Sequence, residues 1–252
     1  MERKDFLRGL GLVGLGAITI PVIKACSSDD DNSSTSTTSD TTQATDTGGS
    51  SSSGSCSVTA SETAGPFPTK TPGSLVTSNI VSDRTGISFT INITIKNTNA
   101  SCATLTGAIV DIWHCDKDGY YSEYGGTSMQ SADFTSVHFL RGRQTTDANG
   151  LVKFQSIFPG WYSGRATHIH VHIYNASGTS LLVTQIAFPE GAGSAVALVN
   201  ASSANGYTKG LSGYTYNASD NVFSDSTANE MSAVTGSVAD GFVLTHSINV
   251  AG

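Results

Sequence analysis

From residue 88 onward the chain alternates between apolar and polar positions. Ser88 to Ile95 places Phe89, Ile91, Ile93 and Ile95 at every second position, the period of a strand with one buried face. Five further β-rich runs follow: Gly107 to His114, Leu151 to Ile157, Thr167 to Tyr174, Leu181 to Phe188 and Phe242 to Val250. Gly, Asn and Pro break them apart, and the turn signal Asp147-Ala148-Asn149-Gly150 directly precedes the run from Leu151 to Ile157. No long stretch carries a helical period with caps at both ends. Strands at this spacing predict an all-β fold, an antiparallel β-sandwich. Gly191 to Gly241 is polar, rich in Gly, Ser and Asn, and carries no readable period.

The first quarter of the chain reads differently. Arg3, Lys4 and Arg8 precede an apolar stretch from Leu10 to Ile23, the form of an export signal over residues 1–25 and too Gly-rich and short to favour a membrane span. Arg3-Lys4-Asp5-Phe6-Leu7 resembles a twin-arginine signal with Lys in the second position. Ile23-Lys24-Ala25-Cys26 resembles a bacterial lipobox, which implies lipid attachment at Cys26 and localisation at the periplasmic membrane or cell surface. Residues 26–55 are nearly all Ser, Thr, Asp and Gly after that cysteine. Such a segment buries too little apolar surface to offset the entropy of ordering, and is expected to be a flexible tether. The folded domain is then expected over residues 56–252.

The formal charge is −7, from 13 basic and 20 acidic residues. No basic block or basic-aromatic stripe is present, so nucleic acid is not an expected partner. Export permits disulfides. With Cys26 set aside for lipid, Cys56 opens the domain and Cys102 precedes the second strand, so these two are expected to pair. Cys115 is then left as a small packed residue.

Candidate chemistry enters with Thr167-His168-Ile169-His170-Val171-His172-Ile173-Tyr174. On a strand, Ile169, Val171 and Ile173 face one way while His168, His170 and His172 face the other. Two positions along a strand span about 6.6 Å, from which two imidazoles can converge on one metal. Taken alone, the pattern fits a metal site and a polar sheet face equally well. Tyrosines lie in the neighbouring stretches Gly119-Tyr120-Tyr121-Ser122 and Phe158-Pro159-Gly160-Trp161-Tyr162. Two His with two Tyr suit a hard trivalent ion, because a phenol with a pKa of about 10 needs a strong Lewis acid to ionise at neutral pH. Zinc more often recruits Cys or a carboxylate, and ferrous oxygenases use two His and one carboxylate.

With these motifs in this order, the chain resembles the intradiol ring-cleavage dioxygenases, the family of protocatechuate 3,4-dioxygenase and catechol 1,2-dioxygenase. The resemblance runs from Thr63-Ala64-Gly65-Pro66-Phe67-Pro68 to Thr184-Gln185-Ile186-Ala187-Phe188 and is densest from Asp111 to His170. It implies a non-haem iron(III) centre held by Tyr121, Tyr162, His168 and His170. It further implies Tyr162 as the phenolate that acts as base, Arg165 as a cation beside the ring, and Gln185 as an orienting hydrogen-bonding group. The implied substrates are O2 and a small catechol, opened between its hydroxyls to a muconate-type diacid. Two features depart from the family. A helical N-terminal dimerisation region has no counterpart, and the spacing from Tyr162 to His168 is shorter.

Around the motif, His114, His138, His172 and His246 read as structural, and Trp113 and Trp161 as packing. Arg141 and Arg143 are expected in ion pairs, with a substrate carboxylate as their alternative partner. A second class of function stays open on sequence: a non-catalytic, lipid-anchored β-sandwich module that binds a ferric catecholate or a surface glycan.

Overall fold

The computed structural model describes residues 56–252. The export signal expected over residues 1–25, the lipobox expected at Cys26 and the tether expected over residues 26–55 lie outside them. Among the described residues no helix is long and apolar enough to cross a membrane.

Two sheets form the domain. One holds β1 (Ser88–Asn97), β2 (Ala103–Thr104), β5 (Leu151–Ile157), β8 (Ala233–Ser237) and β9 (Gly241–Val250). Here β1 pairs with β2, β5 and β9, and β9 pairs with β8. The other runs in the order β4-β3-β6-β7, from β3 (Ile109–Trp113), β4 (Arg141–Thr145), β6 (His168–Tyr174) and β7 (Ser180–Ala187). Every ladder between these strands is antiparallel except β1 with β9, which run parallel. The strand pattern predicts direction only for neighbours joined by short turns. β1 and β9 are the first and last long strands, with the rest of the domain between them, so no turn constrains their sense.

The alternation works as expected. Phe89, Ile91, Ile93 and Ile95 of β1 are fully buried, as are Ile169, Val171 and Ile173 of β6. They meet in one core between the sheets with Val152 and Phe154 of β5 and Leu244 and Ile248 of β9. Each such side chain contributes about 1.5–3 kcal/mol by leaving water.

β4 was not expected, since Arg-Gly-Arg-Gln-Thr carries no apolar alternation. It forms because both arginines find partners. Arg141 is buried under the loop before it, and Arg143 donates Nε and Nη2 to the two oxygens of Asp111 at 2.5 and 2.7 Å. The segment from Gly191 to Gly241 holds α1 (Ala195–Asn200) and β8, and long-range bonds fix its irregular parts. Tyr207 Oη donates to Phe158 O at 2.7 Å, and Trp161 Nε1 donates to Gly210 O at 2.8 Å.

Cys56 and Cys102 form a disulfide across 46 residues, and Cys115 is free and buried. Closing a loop of that length restricts the unfolded chain enough to stabilise the domain by about 2–4 kcal/mol. Burial pushes the Cys115 thiol well up, so it stays protonated and packs as an apolar group.

Candidate metal centre

The face of the four-stranded sheet turned away from the core carries the candidate residues. Strand register sets them in a row. Arg141 pairs with Trp113, Trp113 with His170, and His170 with Gln185. Directly opposed residues of neighbouring strands share a face, so four strands present Arg141, Trp113, His170 and Gln185 side by side, with His168 two positions along β6.

His168 and His170 are both buried, and their Nε2 atoms lie 3.1 Å apart. Tyr121 Oη lies 3.2 Å from His168 Nε2. His168 Nδ1 sits 2.6 Å from the Ala166 carbonyl oxygen, a contact that requires the proton on Nδ1 and leaves the Nε2 lone pair directed at the other two donors. His170 stacks flat on Trp113, with centroids 4.9 Å apart and planes within 4°. Burial, with Arg165 nearby, brings the His168 imidazole down to about 3, and burial with His168 beside it holds His170 well below its ordinary value. Both rings are therefore neutral, as ligation requires.

Tyr121 is placed by its loop. Its N–H donates to Gln130 Oε1 at 2.7 Å, and Gln130 Nε2 donates back to the carbonyls of Tyr121 and Tyr124, each at 2.8 Å. The ring stacks on Phe67 at 4.9 Å. Burial, reinforced by Cys115, pushes its phenol well above the ordinary value, so ionisation there calls for a cation at the oxygen.

Arg141 fastens this loop to the strand. It donates to Ser122 Oγ, Ser122 O and Phe67 O at 2.9, 2.6 and 2.9 Å, and it lies 3.7 Å from the buried Glu123 carboxylate. Its partners are structural, which settles the choice against a substrate carboxylate. Burial draws its guanidinium down to about 10.

Tyr162 lines the same cavity, of about 360 Å³, with Phe67, Met129, Arg165 and Asn221. Its ring centroid is 6.2 Å from that of Tyr121. The Tyr162 hydroxyl donates to Met129 O at 3.5 Å, and among the described residues no hydrogen bond joins it to Tyr121, His168 or His170. Three of the four expected donors thus touch, and the fourth stands at the cavity wall. Arg165 Nε donates to both oxygens of Asp220 at 3.1 and 2.9 Å, and its Nη2 donates to Gln185 Oε1 at 2.7 Å. Gln185 Nε2 donates to Thr63 O at 2.8 Å. Burial opposes charge on Asp220, but Arg165 and the N–H groups of Ala166 and Val222 outweigh it and hold the carboxyl below its usual value.

Gly65 closes the roof. Its φ is +68°, and a Cβ there would lie 3.0 Å from His170 Cε1, so only glycine lets this segment cross the imidazole without strain. The remaining histidines stand apart. His114 bonds Cys115 O and Ser156 Oγ, His138 bonds Glu123, and His172 bonds Ser180 and Tyr174. His246 lines a different cavity beside Lys96 and Met231. Trp161 holds Gly210 and packs edge-on against Tyr214.

Two atoms each about 2.1 Å from one ion, at roughly right angles, lie about 3.0 Å apart. The 3.1 and 3.2 Å separations among Tyr121, His168 and His170 therefore suit donors of a shared ion. Among the described residues no group of three His, Cys, Asp or Glu could do so. Imidazole and phenol are the available donors, and that set fits a hard trivalent metal.

A β-sandwich with imidazoles and phenols gathered on one sheet face defines a candidate metal-dependent oxygenase. The family described as Dioxygenase matches residues 68–213, more than half of the chain, and the chain belongs to the intradiol ring-cleavage dioxygenases. That family acts on catechol-type rings and uses non-haem iron(III). Chlorocatechol 1,2-dioxygenase of Rhodococcus opacus is 31% identical over 109 residues, 36% of this chain and 40% of that protein. Catechol 1,2-dioxygenase 1 of Acinetobacter lwoffii is 28% identical over 95 residues, 31% of this chain and 29% of the relative. The matched stretch thus spans less than half of either relative. The solved intradiol ring-cleavage dioxygenase of Tetranychus urticae is 29% identical, with a TM-score of 0.67 over 77% of this chain and 95% of the other.

Proposed function

We propose that this protein is an exported, lipid-anchored iron(III) dioxygenase that opens a catechol ring between its two hydroxyls. Both atoms of O2 enter the product, a muconate-type diacid. The observation that carries the reading is the convergence of Tyr121 Oη, His168 Nε2 and His170 Nε2 in one buried cavity, at separations of 3.2 and 3.1 Å. Tyr162, which lines the same cavity, completes the proposed ligand set of Tyr121, Tyr162, His168 and His170.

A ferric ion held by these four residues would supply Lewis-acid chemistry that favours the ionised catechol and its reaction with O2. The chain's own residues do the rest. Ala166 O and Trp113 fix the two imidazoles, so the donors need no rearrangement when substrate arrives. Tyr162 has one weak hydroxyl contact and burial that raises its phenol. Once ionised, it takes a proton readily from an incoming catechol hydroxyl. Arg165 faces the cavity and is locked in place by Asp220 and Gln185. A fixed cation there stabilises negative charge that develops on the ring oxygens. Pro66, Phe67 and Met129 wall the cavity with apolar surface and limit water.

Protein loaded with ferric iron is expected to be burgundy, from charge transfer between tyrosinate and iron, and catechol is expected to shift the band while O2 is consumed. Iron-replete protein that is colourless and takes up no O2 with any catechol would overturn the reading. The anchor rests on the Ile23-Lys24-Ala25-Cys26 sequence. Cys26→Ser is expected to move the protein from the membrane fraction to the soluble one, and a variant that stays with the membrane counts against lipid at Cys26.

A further inference from the structure

The site cavity has a neighbour. Met129 and Tyr162 line both the site cavity and a second groove of about 380 Å³, whose other walls include Tyr120, Ser163, Thr208 and Lys209. A cavity of ~150 Å³ is enough for one benzene ring, so a single catechol uses less than the site cavity's volume of about 360 Å³ and none of the groove.

The groove has its own recognition chemistry. Tyr120 is 36% exposed, a large aromatic surface left open on the residue directly before Tyr121. Lys209 is held in place. Its Nζ donates to Trp161 O at 2.8 Å and lies 3.5 Å from the centre of the Trp161 ring, which fixes a cationic donor in the groove wall. Ser163 and Thr208 are exposed and add two hydroxyls. Asp118 also lines the groove, but its carboxylate is paired with Lys117 at 2.6 Å. An open aromatic surface with several hydrogen-bonding groups suits a flat ring that carries hydroxyls.

We propose that the preferred substrates are catechols bearing a second, hydroxylated aromatic ring. The catechol ring occupies the site cavity. The second ring passes between Tyr162 and Met129 in place of their weak 3.5 Å contact, enters the groove, lies against Tyr120, and gives its hydroxyl to Lys209, Ser163 or Thr208. This inference rests on the ring-cleavage reading above.

The test compares catechol with 3,4,4′-trihydroxybiphenyl, using kcat/KM of the iron-loaded enzyme. Three proteins are measured: wild type, Tyr120→Ala, and Thr208→Trp, which fills the groove from an exposed position. Wild type is expected to favour the two-ring substrate by roughly 5–10-fold, the scale of one aromatic contact. Thr208→Trp is expected to erase that preference and Tyr120→Ala to reduce it, with catechol turnover unchanged in both. Equal use of the two substrates by wild type, or variants that slow both substrates together, overturns the groove assignment while leaving ring cleavage intact. A wild-type enzyme that does not oxidise catechol at all overturns the ring-cleavage reading, and this inference with it.

Discussion

Tyr121→Phe is expected to abolish ring cleavage while leaving the fold in place. The change removes one oxygen and keeps the ring that stacks on Phe67 at 4.9 Å. The lost oxygen is the one 3.2 Å from His168 Nε2. Losing an outer hydrogen-bond partner of a metal ligand costs about 10–100-fold in affinity or activity, and loss of a ligand itself exceeds that. The variant's visible band is expected to collapse with its O2 uptake. Its melting temperature is expected to stay close to that of the wild type, because the oxygen's polar contacts lie only within the site. Tyr120→Phe, one residue earlier and exposed, serves as the control and retains colour and catechol turnover. Wild-type O2 uptake in the Tyr121→Phe protein would remove Tyr121 from the ligand set.

Arg141→Met is expected to act on stability instead. The guanidinium is the shared partner of Ser122, Phe67 and the Glu123 carboxylate. Glu123 is itself 1% exposed. Methionine fills much of the volume but supplies no donor, so a buried carboxylate and two carbonyls lose a partner together. Breaking a buried pair from one side costs about 3–5 kcal/mol, or roughly 6–20 °C in a domain of this size. Thermal unfolding by circular dichroism measures it, and a shift of less than about 2 °C would show that the loop holds Tyr121 without Arg141.

These residues also mark what the sequence makes legible. β1 and β6 are readable because their inward positions are apolar at every second residue, and β5 because Val152 and Phe154 keep the same period. The same alternation sends His168 and His170 to the opposite face, so the imidazole pair is visible from one strand alone. β4 is not readable. Its arginines are satisfied by Ser122, Phe67 and Asp111, partners distant in sequence, and a polar string gives no sign that such partners exist. Trp113 looks like packing until register brings it beside His170, where it becomes the surface on which that imidazole lies flat. Asp220 lies in a stretch with no period, and only the folded chain shows it holding Arg165. Gly65 is equally silent, because its role is the 3.0 Å approach to His170 that any side chain would spoil.

The disulfide has a mechanical meaning. From Cys56 the chain runs past Asn249, where Thr59 N donates to the carbonyl, and past Val183, where Glu62 N does the same. It then crosses His170 at Gly65 and stacks Phe67 on Tyr121. The lid of the cavity is thus the first stretch of the domain, and a pull on its leading end would otherwise peel it open residue by residue. The Cys56–Cys102 cross-link stops that peeling before it starts. A load on Cys56 would pass through the cross-link to Cys102, into the backbone beside β1 and β2, before it reached the cover over the imidazoles.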